Sequence, residues 1–204
     1  MPKRPSQKRS KRMSTPSSRL PAFALDRLSP EQNALVEAIR SGPRGRFHNE
    51  GPFAVYLHAP GYGKLAQALG GYLRYHTSLP PQLKEFAILC TAQHWKAQYE
   101  WHAHAPMAAE AGVKATAIQH LKAGHPGKSA ARDEMAIYAF VKELYAKRRV
   151  SNATYARVHK IIGDTGMVEF VGILGYYSLI SMTLNVFRMP LPEGSPAPFR
   201  EASV

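Results

Sequence analysis

The chain has 204 residues, the length of one domain of ordinary to slightly generous size, and 45% of it is apolar, enough to bury a core and to exclude global disorder. Its net charge of +13 is unevenly spread: seven cations (Lys3, Arg4, Lys8, Arg9, Lys11, Arg12, Arg19) and no acid fall within residues 1–20, which leaves 20 cations against the 14 acids in the rest, a net +6. A single cysteine, Cys90, excludes an intramolecular disulfide, a cysteine zinc cluster and a Cys-x-x-Cys redox pair, and it suits a reducing compartment, so a cytoplasmic location is expected.

Residues 1–22 form a basic tail too poor in apolar side chains to offset the entropy of ordering, and disorder is expected there. The tail lacks the apolar stretch of a secretory signal, and Pro2, Pro5 and Pro16 spoil an amphipathic transit helix. A polybasic arm of this kind can hold nucleic acid through phosphates, but the body carries no aromatic–basic stripe, so nucleic acid is expected, if at all, only through the tail.

Residues 23–190 read as one domain of successive helices. Ser29-Pro30-Glu31-Gln32 is a helix start, with Ser as cap and Gln three residues on, and Ser41-Gly42-Pro43 ends that helix. Residues 42–52 are a loop with two arginines, and Phe53–Leu57 fits a short helix or a strand equally well. Helical spacing then predicts helices over 61–76, 81–95, 98–111, 113–123, 129–147 and 151–162. Gly163-Asp164 should break the chain before a last, apolar helix over 166–188. Residues 191–204 are a Pro-rich strap. With no sustained alternation of period two, the predicted fold class is all-α, a compact multi-helix bundle.

From Val171 to Phe187 the last helix carries no charge over 17 residues, the bottom of the range of about 17–25 that spans a bilayer. Its Gly172, Gly175, Ser178, Ser181, Thr183 and Asn185 read as those of a buried helix in a core or between subunits, so no membrane is expected. The small residues Gly172, Gly175, Ser178 and Ser181 recur every three residues and allow close helix approach, while Tyr176, Tyr177, Leu179, Ile180, Met182 and Leu184 need more than one neighbour. These faces predict a homo-oligomer.

The densest polar cluster runs from Glu85 to His104. Glu100 and His104 are four residues apart on one helix face, and a carboxylate that fixes an imidazole tautomer is a common way to build a general acid or base. Glu85 lies on the preceding helix, beside Phe86 and Leu89 at the border of the buried side, and a carboxyl buried against another should have a raised pKa. The catalytic candidates are therefore Glu85, Glu100 and His104, with His104 as proton donor, Glu100 as its support and Glu85 as tuner or relay. Trp101 and His102 are weaker candidates for touching substrate, although Trp95, Tyr99 and Trp101 also read as packing. His102 and His104 point about 200° apart, so they make no metal clamp, and neither a metal nor a cofactor is expected. Cys90 lies on the apolar stripe and reads as an inert thiol.

Residues 83–112, with Leu-Lys-Glu-Phe-Ala-Ile-Leu, Gln-Tyr-Glu-Trp-His-Ala-His and Ala-Glu-Ala-Gly, resemble the carboxymuconolactone decarboxylase family, within the alkyl hydroperoxidase D-like superfamily. Gly51-Pro52-Phe53 and Leu57-His58-Ala59-Pro60 resemble its upstream segment. The resemblance covers about residues 25–190 and implies the bundle of the alkyl hydroperoxidase D-like type. The family's peroxidase branch carries Glu-x11-Cys-x2-Cys-x3-His; set on Glu85, those positions are Ala97, Glu100 and His104, so glutamate and histidine match and both cysteines are absent. Peroxide reduction through a disulfide needs both thiols, which leaves the peroxidase reading without its nucleophile. The decarboxylase-like branch implies a small carboxylated lactone or related aromatic-catabolism intermediate as substrate, no cofactor, and assembly as trimers or hexamers with the site near a subunit boundary. An arginine should hold the substrate carboxylate, and Arg74 and Arg188 sit at helix ends that could reach. A non-catalytic or regulatory oligomer with the cluster as a buried polar network is the alternative.

Overall fold

The structure is a computed structural model, and residues 18–200 are described. Among them all regular structure is helical, as the sequence predicts. Helix α1 (Pro30–Arg40) starts at the expected capping box: the Ser29 amide donates to Gln32 Oε1 at 2.8 Å and the Gln32 amide donates to Ser29 Oγ at 3.3 Å. Its Leu35, Val36 and Ile39 turn to the core. The ambiguous Phe53–Leu57 stretch is helical, as part of α2 (Gly51–Tyr56), followed by α3 (Pro60–Tyr75).

Helix α4 (Pro81–Trp95) is the centre of the domain. Every residue from Leu83 to Ala92 is buried, including Lys84 and Glu85, because α5 (Gln98–Glu110), α7 (Arg132–Lys147) and α8 (Asn152–Phe187) pack round it. Lys96 ends α4 in the left-handed region (φ 49°), and Ala97 is already in extended backbone, so α5 turns back along α4 within two residues. The short α6 (Ala115–Lys122) closes the far side of this hairpin.

The predicted break in the last helical region is present. Gly163 sits at φ 66°, ψ −175°, so α8 is two helical stretches joined at a kink. Its second stretch packs on α4, α7, α2, α3 and α5 with Phe170, Ile173, Leu174, Tyr177, Ile180 and Leu184 inward. The side opposite is open, with Val168, Val171, Met182 and Val186 exposed. By length and apolar composition alone α8 could cross a membrane. Here 44% of its most apolar window is buried within the domain.

The predicted tail boundary at residue 22 falls too late for residues 18–21. The Arg19 amide donates to the Phe187 carbonyl at 3.0 Å, and its guanidinium donates to the Val186 carbonyl at 3.0 Å, placing a cation on the free carbonyls at the end of α8. Residues 1–17, the bulk of the expected disordered arm, lie outside the described residues. In the C-terminal strap Phe199 is buried, its amide donates to Gln98 Oε1 at 2.8 Å, and its ring meets Trp101 edge-on at 5.2 Å.

A Cβ added at Gly163 would meet nothing within 4 Å, so only the backbone conformation demands glycine there. Gly163→Ala is expected to destabilise by about 1–3 kcal/mol, the cost of a non-glycine residue in that region. Urea denaturation checks this, and an unchanged midpoint would show that the kink is not needed.

Candidate active site

The α4–α5 hairpin sets Glu85 opposite His104. Glu85 lies on the second turn of α4, and the tight Lys96–Ala97 turn returns α5 so that its second turn faces it. His104 Nδ1 lies 2.7 Å from Glu85 Oε2, with both side chains nine-tenths buried or more. An ionised carboxylate only accepts, so Nδ1 carries the proton of this bond and Nε2 points the other way. Nε2 faces Glu100 Oε2 at 3.4 Å, but that oxygen has no aligned hydrogen-bond partner. The ring edge is closed by Tyr177, perpendicular to His104 at 5.0 Å, and Tyr176 stands next to it.

The three predicted catalytic residues therefore meet, but with their supporting roles exchanged. The helical spacing singles out Glu100 as the group that orients His104; the structure gives that bond to Glu85. The spacing brings Glu100 near the ring without aligning it, whereas the antiparallel hairpin aims Glu85 at Nδ1. The pKa expectation is corrected in the same way. Burial pushes the Glu85 carboxyl up, but the His104 hydrogen bond and charge, with Arg74 and Lys84, outweigh it and hold Glu85 below the usual carboxylate range. The raised carboxyl is Glu100: burial dominates, with the Glu85 charge adding to it, against His104, Arg74 and Arg44. One carboxyl is thus biased to the charged form and the other to the neutral form across a single imidazole.

Trp101 is buried under Phe199 and is not brought to the His104 edge, and His102 is half-buried outside these contacts. Cys90 is buried among apolar neighbours, and burial pushes its thiol well up, which leaves it unreactive. Arg74 lies beside Glu85 and Tyr177, with its guanidinium against Met107, whereas Arg188 caps the end of α8. Sequence reasoning did not single out Tyr56, Tyr176 and Tyr177, or Arg44 from the loop after α1. Glu100 acts electrostatically on all three tyrosines, and burial raises each phenol, that of Tyr176 to about 12. The Tyr176-Tyr177 pair inside an otherwise apolar helix was the available signal, since a buried phenol normally has a polar neighbour.

Among the described residues no group of three His, Cys, Asp or Glu side chains is placed to hold a metal ion. A surface cavity of about 240 Å³ lies between Phe23, Val55, His58 and Met189, away from His104. A more open one lies at Lys96 and Phe199.

The opposed shifts have opposite consequences for stability. Glu85 ionises more readily folded than unfolded, so its contribution is present above the unfolded carboxylate value of about 4.3 and lost as pH falls through the lower folded value. Glu100 is the reverse, and its burial costs stability once pH rises above about 4.3. Glu85→Gln is expected to lower unfolding stability at neutral pH by about 1–3 kcal/mol. Glu100→Gln is expected to raise it, with the gain shrinking in mild acid. Urea titrations of both variants at two pH values check the signs; destabilisation by Glu100→Gln at neutral pH would overturn the neutral-carboxyl assignment.

No protein-family profile and no curated protein matches the sequence. The fold does have solved counterparts. The chain is similar to the alkylhydroperoxidase AhpD core of an uncharacterized peroxidase-related protein from Ralstonia eutropha JMP134, with TM-score 0.70 and 17% identity over 87% of this chain and 94% of that one. It is also similar to an uncharacterized peroxidase-related protein from Silicibacter sp. TM1040, with TM-score 0.72 and 14% identity over 89% of this chain and 96% of that one. At such identities the likeness speaks for the fold: the domain has the alkylhydroperoxidase AhpD core architecture.

Proposed function

We propose that the protein is a cofactor-independent enzyme of the carboxymuconolactone decarboxylase type, a carbon–carbon lyase acting on a small carboxylated lactone or a related aromatic-catabolism acid in the cytoplasm. The observation that carries the reading is the buried Glu85–His104 bond of 2.7 Å, which leaves Nε2 free beside a second carboxyl. In decarboxylation the bond from carboxylate to carbon breaks, its electron pair moves into the adjacent carbonyl as an enolate, and carbon dioxide leaves. Glu100, neutral before the reaction, passes its proton to His104 Nε2, the enolate carbon takes that proton from Nε2, and one solvent proton restores Glu100, so one proton is consumed overall. Glu85 holds the ring and stabilises its transient charged form. Tyr177 and the surrounding apolar side chains exclude bulk water, which strengthens each of these electrostatic effects.

Peroxide reduction has little in its support here. Ala97 and Glu100 stand where the resembling peroxidase pattern has cysteines, and Cys90 is a lone buried thiol. A non-catalytic oligomer is favoured by one observation, the near-complete burial of all three polar residues. Turnover decides between them. A general acid typically contributes about 10²–10⁴ in rate, so His104→Ala should lose at least that much against a panel of carboxylated lactones and β-keto acids. Wild-type turnover by His104→Ala would end the acid–base reading, and its absence in both proteins with bound ligand would favour the regulatory one.

The same reading includes assembly as a trimer or hexamer. Leu65 is 74% and Val168 76% exposed, and each belongs to an apolar row: Tyr62, Leu65, Leu69 and Tyr72 on α3, and Val168, Val171, Met182 and Val186 on α8. Exposed apolar side chains gathered in rows mark interaction surfaces, and a second copy of the chain is the proposed cover. Light scattering at micromolar protein should give a mass several times 22.6 kDa. A single species at the mass of one chain would rule the assembly out.

A further inference from the structure

The cavity of about 240 Å³ beside α2 is walled by two stretches from opposite ends of the described residues, 18–23 and 189–193, together with Glu50, Ala54 and Val55 at the start of α2. The first stretch is pinned at Arg19, Pro21 and Phe23. The Arg19 amide and guanidinium donate to the Phe187 and Val186 carbonyls, each at 3.0 Å. His58 Nε2 lies 3.1 Å from the Pro21 carbonyl, and Asn49 Nδ2 donates to the Phe23 carbonyl at 3.0 Å. The Phe23 ring also rests 4.5 Å from that of His58. A strap fixed at these points that still leaves a hollow beneath it gives the cavity a defined shape before any ligand arrives, as small-molecule sites usually have.

The cavity is poor in free donors. A carbonyl only accepts, so the Asn49 amide N–H and the His58 Nε2–H are both used on the strap. The Ser18 hydroxyl donates to the Phe187 carbonyl at 3.5 Å, and the Leu20 amide donates to that same hydroxyl oxygen at 3.2 Å. Pro21, Pro190 and Pro192 in the walls have no N–H at all. Acceptors remain: Asn49 keeps its carbonyl oxygen, and Glu50 and Glu193 bring carboxylates. Glu50 stands at the N-cap of α2 without bonding a helix amide, and among the described residues neither acid is in a salt bridge. Among those residues no lysine or arginine lines the cavity, in a chain whose net charge is +13. An apolar hollow with two carboxylates, a spare acceptor and no cation suits a molecule with an apolar body and a positively charged donor head.

We propose that this cavity binds a small organic amine in its ammonium form, with the apolar body between Phe23, Val55 and Met189 and the ammonium group directed to Glu50 and Glu193. The site lies away from His104, so it neither needs nor limits the acid–base chemistry proposed above. The apolar walls supply most of the attraction. The two acids, both exposed, supply selectivity, because a charge pair at a wet rim adds little affinity. An occupant also joins the strap at 18–23 to the one at 189–193, so binding should stabilise the folded chain by linkage.

Calorimetric titration of the full-length protein with 2-phenylethylamine tests the site, with 2-phenylethanol and phenylacetate as its neutral and anionic counterparts. Wild type should bind the amine saturably at millimolar concentration or below, the alcohol about two- to tenfold more weakly, and the anion not at all. Glu50→Gln and Glu193→Gln should each weaken the amine about two- to fivefold, and the difference should shrink in high salt. Ala54→Phe should fill the hollow and abolish binding of amine and alcohol alike. If that variant does not fold, Ala54→Leu serves, and it should bind both less tightly than wild type. His104→Ala should bind the amine as wild type does. No saturable amine binding, equal affinity for phenylacetate, or undiminished affinity in the protein carrying both Gln substitutions would overturn the site, whatever His104→Ala does to turnover. Conversely, unchanged turnover in His104→Ala with amine affinity lost in Ala54→Phe would leave the site standing and remove the acid–base reading.

Discussion

The bond between Glu85 and His104 is the constraint around which the rest of the domain is arranged. It requires a charged residue on the most deeply buried helix of the protein. A carboxylate in such a place is costly unless paired and hydrogen-bonded, and each surrounding element contributes to that pairing. The left-handed Lys96 brings α5 back close enough for His104 to reach, Arg74 and Lys84 add positive charge, and Tyr177 of α8 seals the ring. Lys84 is itself buried next to Glu85 and donates to the Arg74 carbonyl at the end of α3, so the junction of α3 and α4 is tied to the same cluster. Glu169 ties it from the other side, accepting from the Ser78 amide and hydroxyl, each at 2.7 Å, and from Tyr72 at 3.1 Å.

This arrangement separates two glutamates that the sequence presents as equivalents. Each is buried, near the same imidazole and within the influence of Arg74, yet one is hydrogen-bonded to His104, whereas the other is more completely desolvated and faces tyrosines and an unaligned nitrogen. The environment, not the residue type, assigns the charged role to Glu85 and the neutral role to Glu100. Sites that move protons commonly contain such a split pair, because one group must hold charge while the other holds a proton.

Much of the fold was legible because its signals are local. The Ser29–Gln32 capping box and the Gly163 break depend on a few neighbouring residues, and each stands in the structure as the sequence predicts, whereas the one-sided stripe expected for α4 gives way to burial on every side. The meeting of Glu85, Glu100 and His104 was legible for a similar reason, since a two-residue turn leaves a helical hairpin little freedom. What stayed hidden depends on distant segments. Which glutamate bonds His104 is decided by the interhelical angle, which no spacing rule contains. Arg44 sits in a loop that composition describes only as Gly-, Pro- and Arg-rich, and its place beside Glu100 arises from the packing of Pro43 on α3 and of Tyr176 across it. The docking of Arg19 depends on the carbonyls at the end of α8, nearly the whole chain away.

The absence of both redox cysteine positions then has a physical meaning within this fold. Ala97 and Glu100 occupy the N-terminal start of α5, where the helix dipole favours negative charge. At such a place a thiol would be drawn toward thiolate, and an exposed carboxyl would be drawn toward the anion. Glu100 goes the other way because burial and the Glu85 charge outweigh the dipole and the nearby cations. The position that would suit a nucleophile in one chemistry is thus turned, by desolvation, into a place that keeps a proton. A carboxyl that keeps its proton beside a free imidazole nitrogen suits proton delivery to carbon, and it is poorly suited to attack on peroxide.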